Sequence, residues 1–288
     1  MKLFECVPNV SEGRDAAVLD ACALAIEDAG AELAHRTSDE VHHRSVFTFF
    51  GDRATVLAAS VALAKVTTAK IDLRTHRGAH PRIGALDVLP FVPLGDASMH
   101  DAVDVAREAA RLIWEACGVP SFYYGAAAAN EKRRQLADVR AGEFEGLIER
   151  GHRGGPPDVG GPSVHPSAGA VAVGARPFLI AFNIVLQSGD VLIAREIARS
   201  LRERSGGLRT LRALGIQLDD ERTQVSCNIT DANATPLHRV VGLVRTLAAR
   251  HGVGVAGCEL IGLIPRAALQ VLAEHELGVS TSEPAQTR

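Results

Sequence analysis

The sequence has no excess of positive charge and no long run of apolar residues. Its 31 lysines and arginines stand against 34 acidic residues, so the formal net charge is −3 and the pI is ≈ 6.4. Nucleic-acid-binding proteins usually present a basic surface, and we therefore expect no nucleic-acid partner. No apolar stretch approaches the ~18 residues of a membrane-spanning helix. Glu5 interrupts the apolar run after Lys2, so we expect no signal peptide, no membrane partner and a cytoplasmic protein.

Cysteine is scarce, and its spacing suggests neither disulfides nor a redox motif. There are five cysteines, an odd number, and no C-x-x-C pair. Cys6, Cys227 and Cys258 lie in apolar, strand-like runs, which favours buried free thiols in a reducing compartment. A nucleophilic role for Cys6 has no support, because a buried thiol is not readily ionised.

Several common catalytic and phosphate-binding motifs are absent. There is no Walker-type phosphate loop, and no G-x-S-x-G elbow surrounds Ser163 or Ser167, which argues against a serine hydrolase. The stretch GVGVAG at 252–257 matches G-x-G-x-x-G, but it follows a predicted helix and enters a predicted strand. The dinucleotide-binding fingerprint requires the opposite order, so we reject this match.

What the sequence does contain is a core-forming composition and one pattern of elements that occurs twice. Hydrophobic residues make up 47% of the 288 residues, enough for a buried core. Both halves predict the order β-α-β-β-α-β. We therefore expect an α/β fold (an α+β sandwich) with two similar subdomains of split β-α-β type, 1–177 and 178–288. Each subdomain should have a mixed or antiparallel sheet covered by helices.

The element boundaries follow from hydrophobic periodicity. In the first half we predict strands at 3–10, 31–35, 44–51, 86–94 and in SFYYG, and helices at 15–29, 53–69 and 98–117. In the second half we predict strands at 178–186, 208–218, 223–230 and 253–264, and helices at 189–204 and 236–252.

Local signals refine this pattern at a few positions. Asp15 is a possible N-cap and Gly30 a C′ residue of the first helix. A polar loop should follow residue 35. Pro90 and Pro93 indicate a strand that is irregular or has one unpaired edge.

Two segments should lie outside regular structure. Residues 151–169 are rich in glycine and proline, and a loop of this length is usually functional or disordered. The last nine residues, STSEPAQTR, are typical of a frayed end.

Positive and titratable side chains are concentrated in RTHRGAHPRIGALDV, residues 74–88. His76 and His80 have the i, i+4 spacing of a helical metal pair. Pro81, however, favours an extended His80, and no acidic residue nearby supplies a third ligand, so we expect no metal. Either the segment is a solvated loop, or its arginines bind carboxylates while a histidine moves protons. The arginines are Arg74, Arg77 and Arg82.

Two further polar clusters lie next to predicted strands. ECVPNVSEGRD at 5–15 places Asn9 and other polar groups where a strand leads into a helix. It is equally consistent with an anion site and with a turn plus a helix cap. SDEVHHRSV at 38–46 places Arg44 at the entrance to a core strand, where a buried guanidinium needs a partner.

Five phrases together resemble the glutamate formimidoyltransferases, over about residues 3 to 272. They are ECVPNVSEGRD, HHRSVFTFFGD, HRGAHPRIGALDVLPFVPL, GARPFLIAFNI and GCELIGLIPRAAL. The sequence resembles the transferase alone, without the cyclodeaminase domain to which it is fused in animals. The resemblance implies two α/β subdomains, a pterin in a groove between them, and a homodimer.

The resemblance also implies an activity and site residues. The family transfers a formimidoyl group from N-formimidoyl-L-glutamate to N5 of tetrahydrofolate, giving 5-formimidoyltetrahydrofolate and L-glutamate in histidine breakdown. His80 corresponds to the catalytic acid/base, and tetrahydrofolate is a co-substrate. The polar clusters themselves supply the candidates for binding the substrate carboxylates, which are Arg44, Arg74, Arg77, Arg82 and Asn9. The folate-binding segment comprises Gly160, Gly161, Pro162, Ser163, Val164, His165, Pro166, Ser167, Ala168 and Gly169.

One departure and two alternatives accompany this resemblance. Family members often have an aspartate in the strand end before H-x-R-S-V, where this sequence reads LAHRTSD, with His35 and Thr37 in that neighbourhood. The alternatives are formyl transfer between 5-formyltetrahydrofolate and glutamate, and a non-catalytic folate-binding protein. The retained His80 argues against the second.

Overall fold

The computed structural model describes residues 1–279, in two compact units that divide between Pro177 and Phe178. The final segment STSEPAQTR, where we predict a frayed end, lies outside the described residues. Among the described residues, no helix is both long and apolar enough to cross a membrane.

The first unit contains seven strands and five α-helices. In chain order they are β1 (Lys2–Cys6), β2 (Asn9–Val10), α1 (Ala16–Asp28), β3 (Glu32–Asp39), β4 (Arg44–Gly51), α2 (Arg53–Lys70), β5 (Leu86–Gly95), α3 (Met99–Cys117), β6 (Ser121–Gly125), α4 (Leu136–Val139), α5 (Glu143–Arg150) and β7 (Val171–Ala175).

These strands form one mixed sheet. β1 and β2 occupy successive parts of one position, because each pairs antiparallel with both β4 and β5. β3 continues the sheet beyond β4, while β7 and β6 add parallel strands on the other side of β5. The main core lies between this sheet and α1, α2 and α3, and a smaller core lies under α5.

The second unit follows the predicted order directly. Its described elements are β8 (Ile180–Leu186), α6 (Val191–Leu201), β9 (Leu211–Gln217), β10 (Thr223–Ile229), α7 (Leu237–Ala249), β11 (Val255–Ile261) and α8 (Arg266–Leu277). The four strands form an antiparallel sheet in the order β11-β8-β10-β9 and share a core with α6 and α7. The predicted fold class, two helix-covered sheets of split β-α-β type, is confirmed.

Helix ends follow local chemistry. The Asp15 carboxylate accepts hydrogen bonds from the main-chain N–H groups of Ala17 and Val18, and Gly30 has a φ of 87° just beyond α1. Ser98 and Asp101 form a capping box at the start of α3, and Gly118 ends that helix in the left-handed region. Both predicted signals at α1 are therefore confirmed.

Two local expectations need correction, and a third holds in part. β3 does not end at residue 35 but runs to Asp39, because it pairs with β4 as far as Arg44. β5 is an interior strand, and the expectation for its prolines holds in part. Pro90 lies opposite Gly174 of β7, whereas Pro93 lies beyond the last β5–β7 pair. The pairing of β5 with β2 is also irregular, with a register shift between Asn9 and Val10. Cys258 is exposed rather than buried, like most residues of β11.

Candidate active site

Three segments that the sequence analysis singled out meet in the first unit. The Ser11 hydroxyl donates to the Gly84 carbonyl oxygen at 2.7 Å, and the Ser45 hydroxyl donates to the Glu12 carbonyl oxygen at 2.6 Å. The main-chain N–H of Ala79 donates to Val41 O at 3.2 Å. The segments around residues 9–15, 38–46 and 74–88 therefore form one cluster, which we call the His80 cluster.

Glycines allow this close approach. A Cβ atom added to Gly13 would lie 2.3 Å from the carbonyl oxygen of Asp39. A Cβ atom added to Gly78 would lie 2.5 Å from the carbonyl oxygen of His42. Both contacts are with main-chain atoms, which cannot turn away as a side chain can, so only glycine fits at these two positions.

His80 makes its closest side-chain contact with a guanidinium group. Nη1 of Arg44 lies 2.7 Å from Nε2 of His80. Arginine can only donate, so Nε2 accepts this hydrogen bond and the neutral ring carries its proton on Nδ1. Burial, and then the nearby charges of Arg44, Arg140 and His42, lower the pKa of His80 to about 2. The ring is therefore held neutral in this arrangement.

Arg44 is a half-buried cation whose hydrogen bonds are incomplete. Its Nε atom is inaccessible and has no hydrogen-bond partner among the described residues. Burial and the charge of Arg140 lower the pKa of Arg44, while Asp87 and Asp39 raise it. Such a group has a desolvation cost that a carboxylate ligand would offset.

Arg140, by contrast, is paired with the Asp87 carboxylate. Nε and Nη2 of Arg140 both donate to Oδ2 of Asp87, the first at 2.9 Å. Oδ1 of Asp87 accepts the main-chain N–H of Ile83 at 2.7 Å. This pair fixes the segment just after His80 against the end of α4.

A histidine–aspartate pair borders the cluster. Nδ1 of His42 lies 2.7 Å from Oδ2 of Asp39, and the main-chain N–H of His42 donates to Oδ1 at 2.8 Å. Burial raises the pKa of Asp39, but the hydrogen bonds from His42 outweigh it and hold that pKa below its usual range. The His42 and His80 ring centroids are 6.4 Å apart in an edge-on arrangement.

A second network supports the cluster from the other side. Nε2 of His43 lies 2.9 Å from Oε1 of Glu12, which also accepts the main-chain N–H groups of Gly13, Arg14 and Asp15. Burial raises the pKa of Glu12, but these hydrogen bonds outweigh it and hold that pKa low. The polar residues after β1 thus complete a turn and fix His43.

His76 belongs to the framework rather than to the open part of the cluster. It is 5% exposed and stacks on His43, with ring centroids 4.1 Å apart. Its Nε2 lies 3.0 Å from the carbonyl oxygen of His43, and its Nδ1 accepts Nε of Arg82 at 3.2 Å. His76 and His80 therefore have separate partners, as the intervening Gly78 and following Pro81 suggest.

The other predicted carboxylate-binding residues are found in varied surroundings. Arg74 is exposed and bonded to Asp72 through a 2.6 Å ion pair. Arg77 donates to the carbonyl oxygens of Arg74 and His76. Arg82 is buried and holds two glutamates of α5, Glu143 at 3.0 Å and Glu145 at 2.7 Å. Nδ2 of Asn9 makes a long 3.4 Å contact with Val7 O.

The end of the glycine-rich segment packs against the His80 cluster. The main-chain N–H of Ala85 donates to Ala168 O, and that of Leu73 donates to Ser167 O, each at 2.9 Å. Nδ1 of His165 accepts the main-chain N–H of Ala168 at 3.0 Å and so closes the turn. Gly169 has a φ of 70° beside Ile83.

The earlier part of the same segment borders a cavity of about 390 Å³. Pro162, Ser163 and Val164 line it together with Phe122 and residues of α5. Arg82, two residues after His80 in the chain, forms an ion pair with Glu145 of α5. Within the described residues, no group of three or more His, Cys, Asp or Glu side chains is placed to hold a metal ion.

Sequence reasoning missed part of the cluster. Asp87 and Arg140 have no local signal, because their pairing joins residues 53 positions apart. Asp39 had a signal, a polar residue beside a histidine pair, but the expected end of β3 at residue 35 obscured it.

The His80 cluster places a neutral imidazole near guanidinium groups. Such an arrangement is suited to acid–base chemistry on a small anionic substrate.

Comparison with known proteins places this chain in a family. Residues 3–176 match the N-terminal subdomain of the formiminotransferase domain, and residues 181–280 match the formiminotransferase domain. The chain belongs to the formiminotransferase domain family, and the resemblance inferred from its motifs is confirmed.

The relatives include proteins named glutamate formimidoyltransferase and proteins named formimidoyltransferase-cyclodeaminase. A glutamate formimidoyltransferase of Streptococcus pyogenes serotype M1 is 40% identical over 96% of this chain and 94% of its own length. One from Thermoplasma acidophilum is 39% identical, with 96% and 93% covered. The formimidoyltransferase-cyclodeaminase of Gallus gallus is 39% identical over 95% of this chain but only 52% of its own length.

Proposed function

We propose that the protein transfers a formimidoyl group from N-formimidoyl-L-glutamate to N5 of tetrahydrofolate, releasing L-glutamate. One observation carries this proposal: 40% identity, over nearly the whole of both chains, to a protein named glutamate formimidoyltransferase. The subdomains of the proposed transferase are residues 1–177 and 178–288. Its substrates are small molecules, and the proposed chemistry requires no metal ion.

His80 is the proposed general acid/base. N5 of tetrahydrofolate attacks the formimidoyl carbon and loses a proton as the new C–N bond forms. The old C–N bond then breaks, its electron pair goes to the glutamate nitrogen, and that nitrogen takes up a proton. One imidazole that accepts the first proton and delivers it to the leaving nitrogen serves both steps, an effect worth roughly 10²–10⁴ in rate.

Arg44 is the proposed main carboxylate-binding residue. Its support is the contact between its Nη1 and His80, together with the lack of a carboxylate partner for its guanidinium among the described residues. Arg74 and Arg82 already hold carboxylates of the chain itself, and Arg77 is bonded to main-chain oxygens. These three arginines and Asn9 therefore have the weaker support as substrate-binding groups.

The segment from Gly160 to Gly169 is the proposed folate-binding element. Its support is the resemblance, together with the packing of Ala168 and Gly169 against the segment that follows His80. Glycine and proline leave main-chain atoms accessible to a flat pterin ring. A homodimer in the cytoplasm completes the proposal, and light scattering on the purified protein would measure the subunit number.

The test is turnover with two donor pairs. Purified protein is mixed either with formimidoylglutamate and tetrahydrofolate, or with 5-formyltetrahydrofolate and L-glutamate, and the folate product is followed by absorbance. The proposal expects product from the first pair at a much higher kcat/KM. Product only from the second pair would identify a formyl transferase, and folate binding without turnover would identify a binding protein.

A further inference from the structure

Arg44 differs from three other buried or half-buried arginines of its unit in having no carboxylate partner among the described residues. Arg133 pairs with Asp158 at 2.6 Å, Arg82 pairs with Glu145 at 2.7 Å, and Arg140 pairs with Asp87. Arg44 instead donates Nη1 to an imidazole. A guanidinium in this condition is suited to binding an anion that is not part of the chain.

The same hydrogen bond blocks the base. Nε2 is the unprotonated nitrogen of His80, since Nδ1 carries the ring proton. As long as Nη1 of Arg44 points at Nε2, that nitrogen cannot accept a proton from a substrate. The neighbouring positive charge also disfavours the imidazolium that proton uptake would form.

A carboxylate that binds Arg44 competes with His80 for this guanidinium. Bidentate binding uses either the Nε and Nη2 edge or the Nη1 and Nη2 end of a guanidinium. The edge is closed because Nε is inaccessible, and one N–H of Nη1 at the other end is already held by His80. A carboxylate at that end neutralises the guanidinium and draws Nη1 toward itself, which weakens the bond to Nε2.

We propose that a substrate carboxylate draws Arg44 away from Nε2 of His80, and that this exchange makes His80 available as the base. The inference rests on the proposed function and adds a sequence of events to it. Carboxylate binding comes first, and only then does Nε2 accept the proton. A substrate without the carboxylate leaves the base blocked, so the exchange also selects for acidic substrates.

The charges around the His80 ring determine whether carboxylate binding raises or lowers its pKa. His80 faces Arg44 of β4, Arg140 after α4 and His42 of the loop between β3 and β4, while Asp87 and Asp39 act on Arg44. Arg140 remains neutralised by Asp87. Neutralising and moving Arg44 removes the nearest cation, so the pKa of His80 rises when the carboxylate binds.

The carboxylate has two possible sources, the glutamyl donor and the glutamyl tail of folate. The test follows the His80 imidazole signals of the wild-type protein by NMR through a pH titration. It is done without ligand, with L-glutamate, with folate, and with 6-methyltetrahydropterin, which has no carboxylate. We expect an upward shift of about one to three pH units with at least one carboxylate ligand and none with the pterin.

The ligand that produces the shift identifies the source of the carboxylate. A shift with L-glutamate identifies the glutamyl donor, and a shift with folate but not with L-glutamate identifies the glutamyl tail of folate. Calorimetry confirms that each ligand is bound under the same conditions. Bound L-glutamate and bound folate that both leave the His80 titration unchanged would overturn the inference. A shift caused by the carboxylate-free pterin would overturn it as well.

Two variants sharpen the test. Arg44→Met removes the blocking group, so His80 should titrate at higher pH without ligand, and carboxylates should no longer shift it. Arg36→Met is the control, because Arg36 lies on the neighbouring β3 and pairs with Asp20. It should behave as wild type.

The NMR outcome is separable from the proposed function. If wild-type protein forms no product from the formimidoyl donor pair, the proposed function fails. If it forms product while bound carboxylates leave the His80 titration unchanged, only the proposed exchange of Arg44 is rejected.

Discussion

His76 and His80 lie four residues apart and have opposite surroundings. His76 is fixed by Arg82 on one ring nitrogen and by His43 O on the other, so it orders the loop. His80 has a hydrogen bond to the Arg44 side chain, which we propose to move when a carboxylate binds. At the scale of single residues, this difference separates a framework histidine from the proposed catalytic one.

Replacement of His76 should therefore reduce stability. His76→Ala leaves a buried Arg82 N–H and the stacked face of His43 without partners, which should lower the free energy of unfolding by about 1–3 kcal/mol. Urea denaturation measures this change. His100→Ala is the control, since His100 is 83% exposed in its side chain and should change stability little. Equal losses in the two variants would contradict the framework role.

Residue-scale predictions succeeded where the cause was local. Asp15 caps α1 because a carboxylate can reach the N–H groups two and three residues ahead. Such a cap can be predicted from the local sequence alone. The need of Arg44 for a partner was also evident from its position before a core strand. The Asp87–Arg140 pair was not, because a contact between distant residues depends on the finished fold.

At the scale of elements, the sheet and loop contacts constrain the glycine-rich segment. Gly169 has a φ of 70°, and a Cβ atom there would lie 2.1 Å from the carbonyl oxygen of Ile83. Gly30 has a φ of 87°, but a Cβ atom there would meet nothing within 4 Å. The two glycines share the left-handed conformation and differ in the space around them.

This contrast predicts different losses of stability. Gly30→Ala should cost about 1–2 kcal/mol from backbone conformation alone. Gly169→Ala adds a clash with main-chain atoms and should cost more than Gly30→Ala, above roughly 2 kcal/mol. Thermal and urea unfolding of both variants measure the difference. A Gly169→Ala protein as stable as Gly30→Ala would show that this turn is not closely packed.

The link between Arg82 and α5 should respond to acid. The hydrogen bond from Arg82 is the main cause that lowers the pKa of Glu145 from 4.5 to about 2. A carboxylate with a depressed folded-state pKa stabilises the fold above its unfolded pKa and loses that contribution as pH falls through the folded value. The contribution should therefore disappear between pH 4.5 and about 2.

Arg82→Met removes this contribution. Its free energy of unfolding should fall less steeply than that of wild type over the same pH range, because Glu145 then titrates normally. The measurement is urea denaturation at several pH values, with Arg134→Met, an exposed pair with Glu131, as the control. Parallel curves for wild type and Arg82→Met would exclude the proposed role of this ion pair in acid stability.

Elements were predictable where the pattern was strong and long. The amphipathic α3 and the apolar β4 agree with the sequence to within a residue, and the repeated order of elements gave the fold class. The short α5 was missed because Gly146 and its charged residues weaken the helical pattern. The end of β3 was missed because its outer residues are polar and only pairing with β4 makes it a strand.

At the scale of the whole molecule, the two units have the same order of elements but unequal content. The second unit keeps the order β-α-β-β-α-β and adds α8, whereas the first adds α3, β6, β7 and the segment after β6. The first unit contains the whole His80 cluster and the glycine-rich segment.

The most direct test of this account is kcat with formimidoylglutamate and tetrahydrofolate, for wild type, His80→Gln and the control His100→Gln. The account predicts that wild type and His100→Gln form 5-formimidoyltetrahydrofolate at similar rates. His80→Gln should be folded, with an unchanged circular dichroism spectrum, and should lose about 10²–10⁴ in kcat. A fully active His80→Gln, or a wild-type protein that forms no product from this pair, would contradict the account.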